Sequence, residues 1–196
     1  MTKIVFVRHG EVNGNVQGRF MGFTDQGLNE NGSEQIEALS LRLKEDFDIA
    51  YVSTLSRTKQ TFEILAKEIK IPEIRFLDSI KERNFGIFEN MNVKELSEKY
   101  PKEYSLLCED WENYKIPHGE SAKEAYQRVC EAFDDIVAQH RGKKILLVTH
   151  LGCIRYILAH KITGEMRKFW NFTVNNGSYS TIEEADDFFI LSKLNA

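Results

Sequence analysis

Apolar residues follow two patterns that alternate along this chain from its first residues to its last. Short unbroken apolar runs predict strands buried on both faces, as in a parallel sheet, and these runs are IVFV from Ile4, IAYV from Ile49 and ILLV from Ile145. Apolar residues spaced three or four positions apart predict helices, at about 33–45, 55–69, 121–137 and 153–162. Strands that alternate with helices predict an α/β fold with a mainly parallel sheet.

Shorter patterns complete this prediction. The stretches IRFLD, SYSTIEE and FFILSKL predict one short strand and a final pair of strands. The loop from Gly10 to Gly32 is long for a structureless connection, and such loops inside a domain are usually functional. Residues 93–114 are polar with scattered leucines and aromatics, which predicts a cap of short helices whose aromatic residues fill a small core or stack on a ring. We expect one domain over residues 1–196, with this cap segment at 93–114.

Composition limits the partners and the environment. The chain has 196 residues, of which 42% are hydrophobic and 29% charged, the balance of an ordinary globular domain. Its net charge of −4 argues against nucleic acid or an anionic membrane as a partner. Three cysteines without a CxxC motif, no signal-peptide pattern and no membrane-length apolar run predict a cytoplasmic protein. The oligomeric state stays open, with a homodimer as one option.

Two of the apolar runs end at a histidine with a glycine close behind. Arg8 and His9 follow the first run directly and precede Gly10, and His150 follows the run from Ile145, with Gly152 two residues later. Side chains at the carboxyl ends of parallel strands meet at one crevice. We therefore expect both histidines at that crevice, with backbone N–H groups beside the glycines ready to approach an anion. Taken alone, either histidine is explained as well by a structural role.

Three further polar residues could reach the same crevice. Arg57 lies where the second strand meets its helix, and two arginines can grip a phosphoryl group through paired N–H donors. Glu82 follows the short third strand and would there suit delivery of a proton to a leaving oxygen. Asn15, in the long loop, could donate to a phosphoryl oxygen. Taken singly, Arg57 and Glu82 are better explained as surface residues, and Asn15 is explained nearly as well as a turn residue, so the prediction depends on their convergence.

These residue types suit phosphoryl transfer through a histidine. A neutral imidazole can attack phosphorus and form a phosphohistidine, while arginines hold the charge on the phosphoryl oxygens. No group of aspartates with metal-holding spacing accompanies the histidines. A Zn²⁺ ion between His9 and His150 would be repelled by Arg8. The sequence therefore predicts an enzyme that uses no metal and no cofactor, with a small-molecule phosphate ester as its partner.

The ordered set of motifs resembles the histidine phosphatase superfamily, which has the phosphoglycerate mutase-like fold. The motifs are RHGE at 8–11, Asn15, the SRTKQT stretch that contains Arg57, Glu82 ahead of NFG, GES at 119–121 and VTHLG at 148–152. They run in order from the first strand almost to the end of the chain. The resemblance implies a three-layer α/β/α sandwich with a mainly parallel central sheet, and catalysis without a metal.

The resemblance also implies a role for each residue of the crevice. His9 would be the phosphorylated nucleophile, and Glu82 the proton donor and later the base for water. The phosphate pocket would be formed by Arg8, Arg57, His150 and Asn15. We add the two loop and helix-start glycines, Gly22 and Gly152, to the residues predicted to bind the ester.

The segment after Glu82 indicates the branch. ERNFGIFE and PHGES most resemble α-ribazole phosphatases and broad-specificity phosphatases, whereas cofactor-dependent phosphoglycerate mutases have a longer insert with two adjacent arginines. We predict a phosphatase for small phosphomonoesters, with α-ribazole 5′-phosphate as one substrate option. The alternatives are a mutase-type phosphotransferase and a non-catalytic phosphate-ester-binding protein, although binding alone needs neither a nucleophile nor an acid. His118, unusual for the family, is either a substrate contact or a surface residue.

Overall fold

A single six-stranded sheet organises the protein, whose computed structural model describes residues 1–196. The strands are β1 Thr2–Arg8, β2 Ile49–Ser53, β3 Ile74–Leu77, β4 Lys144–Thr149, β5 Tyr179–Ala185 and β6 Phe188–Lys193. The α-helices are α1 Asn13–Val16, α2 Glu30–Arg42, α3 Ser56–Leu65, α4 Val93–Lys99, α5 Pro101–Glu109, α6 Ala122–Gln139 and α7 Leu151–Leu158. The strand order is β3-β2-β4-β1-β5-β6, in which the first four strands are parallel, β5 runs antiparallel to β1, and β6 runs antiparallel to β5.

Alternate side chains of the central strands enter two different cores, because successive residues of a strand point to opposite faces. Ile4 and Phe6 pack with α6 and α7, whereas Val5 and Val7 pack with α2 and α3. All four side chains are 0 or 1% exposed. The predicted three-layer α/β/α sandwich with a mainly parallel central sheet is confirmed.

Helix boundaries differ from the predicted ones by a few residues. Helix α2 begins at Glu30 rather than near residue 33, because the Asn29 side chain caps it by accepting from the Gly32 N–H at 2.7 Å. Helix α3 ends at Leu65, and α7 begins at Leu151, directly after His150. The long loop is accordingly shorter than predicted and contains α1.

The segment predicted as a cap, residues 93–114 (the cap), contains α4 and α5. Its Leu96 and Leu107 form a small separate core with Phe88 and Ile116, which lie on either side of the segment. Tyr104 and Tyr114 pack against this core, and Trp111 packs against the main one. These aromatic residues therefore fill cores, as the first of the two interpretations has it. None of the helices has the length and apolar character needed to cross a membrane.

Candidate active site

The two predicted histidines lie side by side at the carboxyl ends of β1 and β4. These strands pair in parallel with Arg8 opposite Thr149, and the His9 N–H donates to the Thr149 carbonyl at 3.1 Å. The two imidazole rings meet edge to face, with their centroids 5.2 Å apart. His9 is 4% exposed and His150 is fully buried. Strand pairing thus fixes the distance between the rings.

A hydrogen bond at Nδ1 sets the tautomer of His9. This nitrogen lies 2.7 Å from the Gly10 carbonyl oxygen. A carbonyl can only accept, so Nδ1 donates and carries the ring proton. Nε2 then holds a free lone pair, which is the arrangement that a nucleophilic imidazole needs.

His150 has the opposite tautomer. Its Nδ1 accepts from Nε of Arg57 at 3.3 Å, so in the neutral ring the proton lies on Nε2, which is 2.8 Å from Ser53 Oγ. Burial, and then the positive charge of Arg57, lower the pKa of both His9 and His150 well below the usual histidine value. Both rings are therefore neutral at neutral pH.

Arg57 is a fully buried cation that holds a neighbouring loop. Besides the bond to His150, its guanidinium donates to the carbonyls of Thr24 at 2.9 Å, Gly22 at 2.8 Å and Met21 at 3.3 Å. Four of the five N–H groups of an arginine are thus engaged with the protein. The predicted arginine is in the site, but its geometry leaves one N–H for a ligand rather than a paired grip.

Arg8 keeps more of its donors free. Its Nη1 donates to the Val174 carbonyl at 2.7 Å, while its Nε is buried without any hydrogen-bond partner. Burial lowers the pKa of Arg8 to about 10, against the opposing effect of Glu82, so the side chain stays charged at neutral pH. A buried cationic donor without an acceptor is costly unless a ligand supplies one. Arg8 therefore suits an incoming anion.

Asn15 is oriented by a second asparagine. Its Oδ1 accepts from the Val12 N–H and from Nδ2 of Asn176, both at 3.1 Å. The Asn176 amide also donates to the His9 carbonyl at 3.1 Å. Since the oxygen of Asn15 is occupied, its NH₂ group is the part of the side chain that can donate to a ligand.

Glu82 is placed by the start of α7. Its two carboxylate oxygens accept from the N–H groups of Arg83 and Gly152, each at 2.9 Å. A Cβ at Gly152 would lie 2.2 Å from Glu82 Oε1, so only glycine admits the carboxylate here. The N–H of Gly152, expected to approach an anion, donates to the Glu82 carboxylate instead.

Arg128 of α6 binds the backbone of the segment that carries Glu82. Its Nη1 donates to the carbonyls of Ser79 and Lys81 at 2.9 and 3.0 Å, and its Nη2 donates to that of Glu82 at 3.3 Å. The same guanidinium pairs with Glu120 at 2.8 Å. The GES motif thus contributes a carboxylate, that of Glu120, which holds Arg128 against the backbone of Glu82.

Two other glycines predicted or expected at the anion serve close packing. The Gly10 N–H donates to Thr61 Oγ1 at 3.2 Å, and a Cβ there would lie 2.3 Å from the Gly32 carbonyl. The Gly22 N–H donates to Glu89 Oε2 at 3.2 Å, and a Cβ there would lie 2.1 Å from the Arg83 carbonyl. Neither N–H is therefore free for a substrate.

An open cavity of about 330 Å³ brings most of these groups together. Its lining is Arg8, His9, Asn15, Gly18, Arg19, Phe20, Met21, Glu82, Phe85, Val93 and Leu151. His9, Glu82, Arg8 and Asn15 thus share one space, while Arg57 and His150 do not line it. A larger cavity of about 540 Å³ beside Arg75 and Phe76 has no lining residue in common with it.

Sequence reasoning missed Ser53, Asn176 and Arg128, which position the predicted residues. Their contacts join positions 46 to 167 residues apart, for which periodicity gives no signal. His118, the residue left open, is exposed and does not line the cavity. The structure contains no group of three or more His, Cys, Asp or Glu side chains placed to hold a metal ion.

Comparison with known proteins gives one consistent assignment. The chain is 32% identical to phosphoserine phosphatase 1 of Hydrogenobacter thermophilus, over 100% of this chain and 92% of that protein. It is 28% identical to the adenosylcobalamin/alpha-ribazole phosphatase of Salmonella typhimurium, over 99% of this chain and 96% of that protein. The alpha-ribazole phosphatase from Shigella flexneri superposes with a TM-score of 0.91 at 28% identity, covering 99% of this chain and 96% of that one.

A family model agrees with these pairwise matches. The model of the histidine phosphatase superfamily, branch 1, matches residues 4–196. This range contains both histidines, the acid, the arginines and every strand from β2 to β6. The fold, the site and the sequence comparison therefore agree, and the chain belongs to branch 1 of the histidine phosphatase superfamily.

Proposed function

We propose that this protein is a metal-independent phosphatase that hydrolyses small-molecule phosphomonoesters through a phosphohistidine on His9. The observation that carries the proposal is the tautomer of His9, whose Nδ1 proton is held by the Gly10 carbonyl at 2.7 Å. A buried, neutral imidazole with a free Nε2 beside a carboxyl group is what nucleophilic attack on phosphorus needs. The relatives in the family that are named as phosphatases support the same reaction.

In the first half-reaction, the Nε2 lone pair of His9 attacks phosphorus. The P–O bond to the alcohol breaks, and the departing oxygen takes a proton from the Glu82 carboxyl group. Arg8 and the NH₂ group of Asn15 hold the phosphoryl oxygens. Arg57 adds positive charge from behind and keeps His150 in place through its Nε bond of 3.3 Å.

In the second half-reaction, water attacks the phosphohistidine. The Glu82 carboxylate takes a proton from this water, the P–N bond breaks, and its electron pair returns to Nε2 of His9. Inorganic phosphate leaves and the enzyme regains its starting protonation state. Each proton that Glu82 gives in the first step is thus recovered in the second.

The mutase-type phosphotransferase is less well supported than hydrolysis. Arg83 is the only arginine between Glu82 and His118. It is buried, with Nε and Nη2 donating to the carbonyls of Glu120 and Tyr114 at 3.0 and 3.4 Å. It is therefore already engaged and does not offer the paired arginines that a phosphoglycerate carboxylate requires.

For the physiological substrate we propose a class, small phosphomonoesters, rather than a single compound. Phosphoserine and α-ribazole 5′-phosphate are both candidates, since relatives named for each cover nearly the whole chain. We further propose that residues 1–196 act as one domain in the cytoplasm. All three cysteines are free, which suits a reducing compartment.

The test is phosphate release from α-ribazole 5′-phosphate, phosphoserine, 3-phosphoglycerate and an aryl phosphate, in the presence of EDTA. We expect release by the wild-type protein and a loss of about 10⁴-fold or more in His9→Ala, since removal of a covalent nucleophile has effects of that size. His140→Ala, which removes a histidine outside the site, is the matched control. Release that EDTA abolishes, or that survives in His9→Ala, would contradict the proposal.

A further inference from the structure

The cavity is polar at its floor, which we define by Arg8, His9, Asn15 and Glu82, and largely apolar at its mouth. Beyond the phosphate-binding groups, its walls are the apolar side chains of Phe20, Phe85, Val93 and Leu151. The rings of Phe20 and Phe85 stack edge to face at 5.0 Å, and Val93 at the start of α4 is 49% exposed. An alcohol group that extends from a bound phosphate therefore meets apolar surface.

One cation, Arg19, lies at this mouth, and it is already neutralised. Its Nη1 and Nη2 donate to the two carboxylate oxygens of Glu95 at 2.8 and 3.1 Å. Its Nε donates to Gln17 Oε1 at 2.7 Å, and Nη1 also donates to the Asn90 carbonyl. A bidentate contact of this kind compensates the charge of the guanidinium and fixes its orientation.

The backbone holds this ion pair together. Phe20 exchanges hydrogen bonds of 2.9 Å with Met91 and Asn90, which joins the loop that carries Arg19 to the cap. Glu95 is anchored as well, because its Oε2 accepts from the Asn92 N–H at 3.0 Å and completes the N-terminal capping box of α4. Arg19 cannot turn toward a substrate without breaking several of these contacts.

No other cation takes its place at the mouth. Arg83 is buried beneath the acid's loop, as described above. Arg155 donates to the Phe172 carbonyl at 2.7 Å, packs against Phe169 and is absent from the cavity lining. Arg8 belongs to the phosphate. A carboxylate on the alcohol would therefore lose water without gaining a cationic partner, which is unfavourable.

We propose that this pocket selects phosphomonoesters whose alcohol is neutral and largely apolar, and that Glu95 sets this preference by neutralising Arg19. The proposal rests on the phosphatase function proposed above and specifies its substrate class. Of the two candidate esters named there, it favours α-ribazole 5′-phosphate over phosphoserine, whose alcohol carries a carboxylate. Glu95 acts through Arg19, so it is a specificity-determining residue and not a catalytic one.

The test compares three alkyl esters, so that leaving-group reactivity stays similar. Glycerol 1-phosphate and 3-phosphoglycerate are of similar size and differ mainly by a carboxylate, and 2-phenylethyl phosphate adds an apolar ring. For the wild type we expect kcat/KM to fall from the phenylethyl ester to the glycerol ester and again to the phosphoglycerate. Phosphoglycerate hydrolysed as well as the glycerol ester, or better, would overturn the substrate class.

The variant Glu95→Gln tests the role of the ion pair. Glutamine can still complete the capping box, so the cap is expected to stay folded while Arg19 loses its counter-charge. The ratio of kcat/KM for phosphoglycerate to that for the glycerol ester is expected to rise about fivefold, the effect of one exposed ion pair. The gain should appear in KM, because the carboxylate lies away from the reacting phosphorus.

The double variant Arg19→Gln with Glu95→Gln is the matched control. It removes both charges, so the ratio of kcat/KM for phosphoglycerate to that for the glycerol ester should return to the wild-type value. General damage to the cap would instead lower kcat/KM for both esters together. An unchanged ratio in Glu95→Gln would overturn the role of Glu95. If the wild-type protein released no phosphate from any of the three esters, the phosphatase function itself would be contradicted. That result differs from either failure of selectivity.

Discussion

The floor of the cavity is held by backbone groups at strand and helix ends, whereas its mouth is joined from segments that meet only in the folded protein. At the floor, the Gly10 carbonyl orients His9 and the Gly152 N–H orients Glu82. At the mouth, Arg19 and Glu95 are 76 positions apart in sequence and hold the loop to the cap. We propose that the first region carries out the chemical step and that the second selects the alcohol.

This difference separates two kinds of variant. A change at the floor should lower the rate for every ester, because all share the phosphoryl group. A change at the mouth should alter the ranking of esters at little cost to the best one. The experiments below test this division, beginning with the largest expected effect.

The acid at the floor should matter most for esters with poor leaving groups. We expect Glu82→Gln to lower kcat/KM for an alkyl phosphate by about 10²- to 10⁴-fold, the usual contribution of a general acid. Gly152→Ala, whose Cβ would lie 2.2 Å from Glu82 Oε1, should act in the same direction with a smaller loss. With p-nitrophenyl phosphate, whose leaving oxygen needs no proton, both losses should shrink. Equal losses for both esters would contradict the role of Glu82.

The asparagine pair should act as a unit. Asn176→Ala frees the Asn15 amide to rotate and is expected to lower kcat/KM about tenfold, the value of one good hydrogen bond to a charged group. Since Asn15→Ala removes the same donor, the double variant should lose little more than either single one. Asn175→Ala changes the exposed neighbour, whose side chain makes no hydrogen bond in the structure, and should have no effect. Additive losses would show that Asn176 does not act through Asn15.

The buried neutral histidines should make stability depend on pH. The pKa values of His9 and His150 are lowered by burial and by Arg57, so below about pH 6.5 the unfolded chain binds protons that the native protein does not. The free energy of unfolding should therefore decrease as the pH is lowered, and well below pH 6.5 it should decrease by about 1.4 kcal/mol per unit for each histidine. Between pH 7.5 and 5.5 this effect amounts to about 1.4 kcal/mol in total for one histidine, so urea unfolding of His9→Gln should show an average slope smaller by about 0.7 kcal/mol per unit. An identical slope would contradict the neutral state of His9.

The smallest effect is expected at His118. Its side chain is exposed, lies outside the cavity and has a backbone φ of 60°, in the left-handed region that asparagine tolerates well. His118→Asn should leave kcat/KM for every ester within about twofold of wild type, as for a surface change. A selective loss for one ester would place this residue in the substrate site.

Sequence alone predicted the part of the site that depends on strand ends. The unbroken apolar runs before His9 and His150 indicated parallel strands, and parallel strands deliver their carboxyl ends to one edge. Arg57 and Glu82 followed from the same rule. The family resemblance then named roles for these positions.

What the sequence could not predict is where individual donors point. Backbone N–H groups beside Gly10 and Gly152 were expected to approach an anion, and Gly22 was expected to bind the ester, yet the N–H of each glycine has a protein acceptor. Arg57 was expected to grip the phosphate, yet most of its donors hold carbonyls. Such directions depend on loop geometry, which residue spacing does not encode.

Long-range pairs were the other gap. Asn176 reaches His9 and Asn15 across more than 160 positions, and Arg19 reaches Glu95 across 76. Neither pair is signalled by periodicity or by a local motif, since each arises only when distant segments pack. The ion pair at the mouth of the cavity was therefore not predictable from residue spacing.

The central claim is that a phosphoryl group rests on Nε2 of His9 during turnover. The most direct measurement mixes the wild-type protein with a ³²P-labelled phosphomonoester and quenches the reaction in alkali within milliseconds. The label on the protein is counted, and the residue that carries the phosphoryl group is located by mass spectrometry. We predict a phosphohistidine at His9, stable in alkali and lost in acid, and none in His9→Ala. Label on another residue, or hydrolysis without any labelled protein at all quench times, would contradict the account.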